Sequence, residues 1–126
     1  MSHPNPVGWF EIYVDDLDRA QAFYEAVLKV TISTIPSTVP GLTMRALPMT
    51  TERYGAGGAL VKMDGMTAGG NSTIVYFHCN DCADAESRVD AAGGRIIRSK
   101  FAIAENGFIA LVLDSEGNLI GLHSWQ

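Results

Sequence analysis

"VDDLDRA" (14–20) and "CNDCADA" (79–85) lie over one another residue for residue, and their alignment decides the fold. At an offset of 65, close to half of the 126 residues, Asp16 meets Asp81, Leu17 meets Cys82 and Ala20 meets Ala85. The surrounding patterns repeat as well, and internal repetition of this kind governs the architecture of a whole chain. "GWFEIYV" (8–14) alternates like a two-faced strand, and "DDLDRAQAFYEAVL" (15–28) then changes to helical spacing. Leu17, Ala20, Phe23, Tyr24 and Leu28 form its apolar stripe, and Asp15 or Asp16 is placed to cap it. "VTISTI" (30–35), "LTMRALPM" (42–49) and "GALVKM" (58–63) read as strands.

The second half restarts with a strand, "STIVYFHC" (72–79), and a helix over 81–94 that ends in glycine. "RIIRSKFAIA" (95–104) and "FIALVLD" (108–114) flank the hairpin signal "ENG", and "DSEG" turns the chain into "NLIGLHSW" (118–125). Each half therefore runs β-α-β-β-β. The expected fold is α+β, with two βαβββ modules forming a curved mixed sheet around a cleft. The chain reads as one domain over 1–126, with module one at about 7–65 and module two at about 71–126.

Composition narrows the function classes. Hydrophobic residues make up 47% and charged residues 18%, enough apolar surface for a core. A formal charge of −5 and a pI near 5.0 argue against a phosphate-binding footprint, so no nucleic-acid partner is expected. No apolar run approaches the roughly 18 residues of a membrane helix. "MSHPNPVG" lacks the basic-then-apolar layout of a secretory signal. With two cysteines only, the expected compartment is a reducing cytoplasm. No glycine-rich G-x-G-x-x-G follows either first strand, so a dinucleotide site has no support.

"FEIYVDDLDRAQAFYEAVL" (10–28), "GGALVKMDG" (57–65) and "FIALVLDSEGNLIGL" (108–122) together resemble the vicinal oxygen chelate superfamily, which includes glyoxalase I, bleomycin-resistance proteins and extradiol dioxygenases. The match is to V-x-D-L-x-x-A/S-x-x-F-Y early and D-P-x-G-N late, with Ser115 standing where the late motif usually has proline. The resemblance implies the cleft fold and a homodimer, and it leaves the reaction open. It also implies four metal-ligand positions in metal-using members, usually His or Glu. Here those positions carry Trp9, Ile74, Gly121 and a residue within "ALVKM" (59–63), none of which suits a divalent ion. No cofactor is expected from the usual site.

Strand parity separates two sets of residues. Phe10, Ile12, Val14, Val75, Phe77 and Cys79 face the helices. Trp9, Glu11, Tyr13, Ile74, Tyr76 and His78, with Leu119, Gly121 and His123, face the cleft. The candidate ligand-binding residues are Trp9, Glu11, Tyr13, Arg45, Lys62, Tyr76, His78 and His123, with Glu11 the best candidate for catalysis. A mid-strand carboxylate either pairs with Arg45, Lys62 or a tyrosine hydroxyl, or faces open water, or serves as a ligand acceptor or general base. Glu11, His78 and His123 together would also suit zinc or iron, a relocated divalent metal site. Flat amphipathic rings lining the cleft would bind planar small molecules, or fill it as core.

Cys79 and Cys82 form a C-x-x-C beside a predicted helix start, the setting of a redox pair. Yet they replace Val14 and Leu17 of the first copy, which argues for core packing. A zinc ribbon needs a second pair, and the chain has two cysteines in all. Two functions follow: a metal-independent small-molecule binder, or a lyase, isomerase or dioxygenase using the relocated metal or Glu11 as base. A plain interaction module is the third reading.

Overall fold

The computed structural model describes residue 7 and residues 9–37, 39–50, 52 and 55–126. Residues 1–6, read above for a signal, and Gly8, at the predicted start of the first strand, lie outside the described residues. Module one contains β1 (Trp9–Tyr13), α1 (Leu17–Leu28), β2 (Ser33–Ile35), β3 (Leu42–Ala46) and β4 (Gly57–Met63). Module two contains β5 (Val75–His78), α2 (Cys82–Glu86), β6 (Arg95–Ala102), β7 (Phe108–Leu113) and β8 (Leu119–Ser124). The strand orders are β1-β4-β3-β2 and β5-β8-β7-β6, with the first pair of each sheet parallel and the others antiparallel. The two expected βαβββ modules are therefore present as two four-stranded mixed sheets, each with its own hydrogen-bonded ladder.

The repeat is visible at the helix starts. Asp16 and Asp81 are both extended N-caps, accepting from the amides of Arg19 at 3.1 Å and Ala83 at 2.9 Å. The predicted helix over 81–94 is regular only to Glu86. The Ser87 hydroxyl donates to the Asp84 carbonyl at 2.6 Å, and the Arg88 and Val89 amides turn to carbonyls three residues back. The coil thus tightens into turns, although Cys82, Ala85 and Val89 still share one buried face. Its end is as expected: the Gly94 amide reaches the Val89 carbonyl and the Gly93 amide that of Asp90, with Gly93 at φ +98°.

β2 is also shorter than its sequence suggests. The Ile32 amide donates to Glu25 and its carbonyl accepts from Gln21, so this backbone is bound to α1 and not to β3. β3 stops before Pro48, which has no amide to donate.

Burial follows the predicted parity. Ile12, Val14, Phe23, Tyr24 and Val27 of module one join Cys82, Val89, Val112, Ile120 and Leu122 of module two in one apolar cluster. Phe10 and Phe77 meet edge to face across the seam at 5.8 Å, and Tyr24 packs on Phe77 at 5.6 Å. Cys82 is fully buried in this core and Cys79 packs against it. Burial, reinforced by neighbouring Cys82 and Asp81, pushes the Cys79 thiol up to about 11. A reactive thiol needs the opposite shift, so the C-x-x-C is core.

The polar contacts between the modules converge on α1. The Glu116 Oε1 accepts from the backbone amides of Asp15 and Asp16 at 3.0 and 2.9 Å, and both its oxygens accept from the Arg19 guanidinium. At the other end of α1, the Arg88 guanidinium donates to the Val27 carbonyl at 2.8 and 3.2 Å. Module two thus sets an anion at the N-terminus and a cation at the C-terminus of the module-one helix, complementing its dipole twice. Asp114 holds the turn that carries Glu116. Its carboxylate accepts from the Glu116 and Asn118 amides, the Asn118 side chain and the buried Tyr24 hydroxyl. Ser115, the departure from the expected proline, donates to Glu116 at 3.1 Å.

Burial alone would raise the Glu116 carboxyl, but Arg19, the Asp16 and Asp15 amides and Ser115 outweigh it and hold the group at about 2, against an ordinary 4.5. A depressed carboxyl contributes stability above its unfolded value and loses it as pH falls toward the folded one. Stability should therefore fall between pH 4.5 and about 2 through this group. Glu116→Gln should cost about 3 kcal/mol, roughly 10 °C in Tm at pH 7, and flatten that acid limb, as read by thermal melts across pH. A parent-like melt would show that the clamp contributes little. For the thiols, Ellman's reagent should react at least roughly tenfold more slowly with the folded protein than in urea. One thiol reacting at the unfolded rate would contradict core packing.

Candidate functional site

The face of each sheet away from the shared core carries the candidate residues, and the structure sorts them into two groups. On β1, alternation turns Phe10 and Ile12 to the core and leaves Trp9, Glu11 and Tyr13 on the open face. Trp9 Nε1 donates to Glu11 Oε2 at 3.2 Å, and the Tyr13 hydroxyl donates to Glu11 Oε1 at 3.1 Å. The carboxylate is thus held between two aromatic donors. Of the pairings open to Glu11 from the sequence, the tyrosine hydroxyl is realised. The bond to Glu11, then burial, raises the Tyr13 phenol above its ordinary value and keeps it a donor.

Glu11 and Tyr13 line a cavity of about 370 Å³ at the seam between the sheets, with Asn71, Thr73, Val75 and Asn118 among its walls. That volume is in the range of small-molecule sites, roughly 300–1,000 Å³. Asn118 is fixed for this role. Its Nδ2 donates to the Tyr13 carbonyl at 3.1 Å and its Oδ1 accepts from the Gly69 amide at 2.7 Å.

On the second sheet, Tyr76 and His78 of β5 and His123 of β8 share the open face, with His78 opposite His123 and Tyr76 opposite Gly121. His78 Nδ1 lies 3.3 Å from His123 Nδ1, and His123 Nε2 lies 2.8 Å from the Asn106 carbonyl. These residues border an open cavity of about 730 Å³ with Ile103, Asn106 and Trp125. The Tyr76 ring covers Gly121, where an added Cβ would stand only 2.2 Å from a ring carbon. One of the four positions of the expected metal set is therefore covered by an aromatic ring, with no room for a ligating side chain.

The expected convergence of all these residues on one cleft does not occur. Because both helix-side faces pack into one core, the two open faces lie outside it; Glu11 borders the seam cavity, which core-side Phe10, Ile12 and Ile120 also line, while His78 and His123 border another. The pair His78 and His123 comes together; Glu11 does not join it. Among the described residues no three His, Cys, Asp or Glu side chains are grouped to hold a metal ion. Arg45 and Lys62 are also corrected. Arg45 stands opposite Leu60 on the helix side, where Asp18 and Gln21 accept from it at 2.7 and 2.9 Å. Lys62 shares the parity of Leu60, is exposed, and borders none of these cavities.

Asn118, Asn106 and Trp125 were missed as site residues. Asn118 was in view only as the last letter of the late motif, Asn106 only as part of a turn. Trp125 shares the parity of His123, which was the available signal.

A family model described as "Bleomycin resistance protein-like N-terminal" matches residues 7–44. "Putative glyoxylase CFP32" of Mycobacterium bovis and of Mycobacterium tuberculosis is 31% identical over 114 residues, which is 90% of this chain and 42% of the relative. The chain thus spans under half the length of these curated relatives. A crystal structure of a glyoxalase I variant from Zea mays superposes with a TM-score of 0.75 at 25% identity, covering 96% of this chain and 46% of that one. A member of the glyoxalase/bleomycin resistance protein/dioxygenase superfamily from Sphaerobacter thermophilus superposes at 0.70 with 18% identity, covering 96% and 98%. Both likenesses extend over the two modules, and the sequence match takes in the first-module motif around Asp16 and Leu17. The chain belongs to the vicinal oxygen chelate superfamily, with the glyoxalase/bleomycin-resistance fold.

Proposed function

We propose that this protein binds a small planar molecule carrying a hydrogen-bond donor, using the Glu11 carboxylate at the seam cavity and no metal. The observation behind this reading is the Trp9–Glu11–Tyr13 arrangement beside a cavity of about 370 Å³. An exposed strand carboxylate has no structural need of two aromatic donors. Held by them, it is a preset acceptor beside flat apolar surface, the usual composition of a small-molecule site. The superfamily's metal positions support the same reading, because Trp9, Ile74 and Gly121 offer no suitable donor atoms.

The enzyme reading keeps one specific observation in its favour, the adjoining His78 and His123. It would need a third ligand or a base beside them, and Glu11 borders a different cavity. Protein purified without a histidine tag should carry substoichiometric zinc, iron, nickel and manganese. Stoichiometric metal that disappears in His78→Ala would favour the enzyme.

We also propose a homodimer in a reducing compartment. Leu42, Met44 and Met63 leave apolar surface half-exposed on the first open sheet face, which a second copy can cover. Sedimentation equilibrium should give twice 13.6 kDa, and a species of 13.6 kDa at tens of micromolar would remove this part.

Glu11→Gln tests the site directly. The amide can still bond both neighbours, its Oε1 accepting from Trp9 and its NH2 donating to the Tyr13 hydroxyl, but it lacks the charge and half of the acceptor lone pairs that the carboxylate offers a ligand. Compounds from a metabolite library that raise the Tm of the parent and of His78→Phe alike should bind at least tenfold more weakly to Glu11→Gln. Unchanged thermal shifts would dismiss Glu11 as the acceptor.

A further inference from the structure

The second open face has a chemistry of its own. A carbonyl oxygen only accepts, so the 2.8 Å contact between His123 Nε2 and the Asn106 carbonyl requires a proton on that nitrogen. Neutral His123 then has a bare Nδ1. The 3.3 Å approach of His78 Nδ1 to it is a hydrogen bond when His78 donates. Neutral His78 is thereby left with a bare Nε2, to which no partner is assigned among the described residues.

The surroundings are built around this pair. The turn after β6 carries Ala104 at φ +54° and Gly107 at φ +94°, conformations that aim the Asn106 carbonyl at β8. A side chain at Gly107 would stand 2.5 Å from the Ser124 carbonyl, 3.1 Å from the Trp125 ring and 3.2 Å from His123 Nε2. Trp125 meets the His123 ring edge to face at 4.8 Å, and Tyr76 lies on the other side over Gly121. Among the described residues, those lining this cavity include no Lys, Arg, Asp or Glu.

We propose that Asn106, His123 and His78 form a tautomer-fixed relay that presents the His78 Nε2 lone pair to a neutral, planar ligand bearing a hydroxyl group. The flat walls of Tyr76 and Trp125 take the ring, and the hydroxyl donates to Nε2. The absence of charged walls selects against ionic ligands, whose desolvation would go uncompensated. His123 is a positioning residue, since it acts only by fixing which nitrogen of His78 is bare. The site is separate from the Glu11 cavity and stands or falls independently of it.

Long-range 1H–15N spectra of chelator-treated, histidine-labelled protein test the relay without any ligand. His123 should be the Nε2–H tautomer and His78 the Nδ1–H tautomer, with assignments made from His78→Phe and His123→Phe. In His123→Phe, His78 should revert to the Nε2–H form that isolated imidazoles favour. An Nε2–H tautomer for His78 in the parent, or an unchanged one in His123→Phe, would overturn the relay. For the ligand class, para-hydroxyacetophenone should bind the parent at least tenfold more tightly than acetophenone by calorimetry. That preference should vanish in His78→Phe but persist in Glu11→Gln. Equal binding of the two probes by the parent would overturn the hydroxyl assignment. If the variants fail to fold, the parent tautomers and the parent probe pair still decide the matter.

Discussion

Glu116 sits in the turn between the last two strands of module two, yet it closes the first turn of the helix in module one. Its carboxylate takes the Asp15 and Asp16 amides and the Arg19 guanidinium, while Arg88 reaches the far end of the same helix at Val27. The helix-side faces of both sheets are apolar, so hydrophobic burial alone would bring them together in many relative orientations. Directional bonds at both ends of one 12-residue helix select one of them. Burying the Glu116 carboxylate is tolerable because every oxygen site is used, and among the described residues no buried side-chain nitrogen or oxygen lacks a partner.

That selection determines where chemistry can occur. With the core between the modules, each sheet is left with one open face, and the two faces have diverged. The first pairs a carboxylate with tryptophan and tyrosine donors. The second pairs two imidazoles with a carbonyl and two exposed rings. The turn that carries Glu116 also supplies Asn118, whose side chain ties the end of β1 to the linker at Gly69 and borders the Glu11 cavity. The same short segment therefore fixes the module arrangement and shapes the site.

Much of the fold was legible because its signals are local or repeated. The offset of 65 laid Asp16 over Asp81, the two residues that prove to be the N-caps, and strand alternation assigned Phe10, Ile12 and Phe77 to the core. The C-x-x-C resolved for the same reason, as Cys79 and Cys82 fell on positions held by Val14 and Leu17 in the first copy. The site was only half legible. Parity gave the face of Trp9, Glu11, Tyr13, Tyr76, His78 and His123, but whether two faces meet depends on how modules dock, a long-range property. Arg45, open from the sequence as a partner of Glu11, instead reaches Asp18 and Gln21, a contact set by how the sheet packs on α1. Helix α2 was overextended because its apolar spacing continues after Ser87 takes the Asp84 carbonyl.

The central claim is that side chains on an open sheet face, and not a bound metal, hold the ligand. The indole proton of Trp9, bonded to Glu11, reports on that face directly. Compounds whose thermal stabilisation is lost in Glu11→Gln should shift the Trp9 indole resonance saturably, leave that of Trp125 in place, and do so equally with or without a chelator. A Trp9 signal indifferent to such compounds, or a shift abolished by the chelator, would contradict the account.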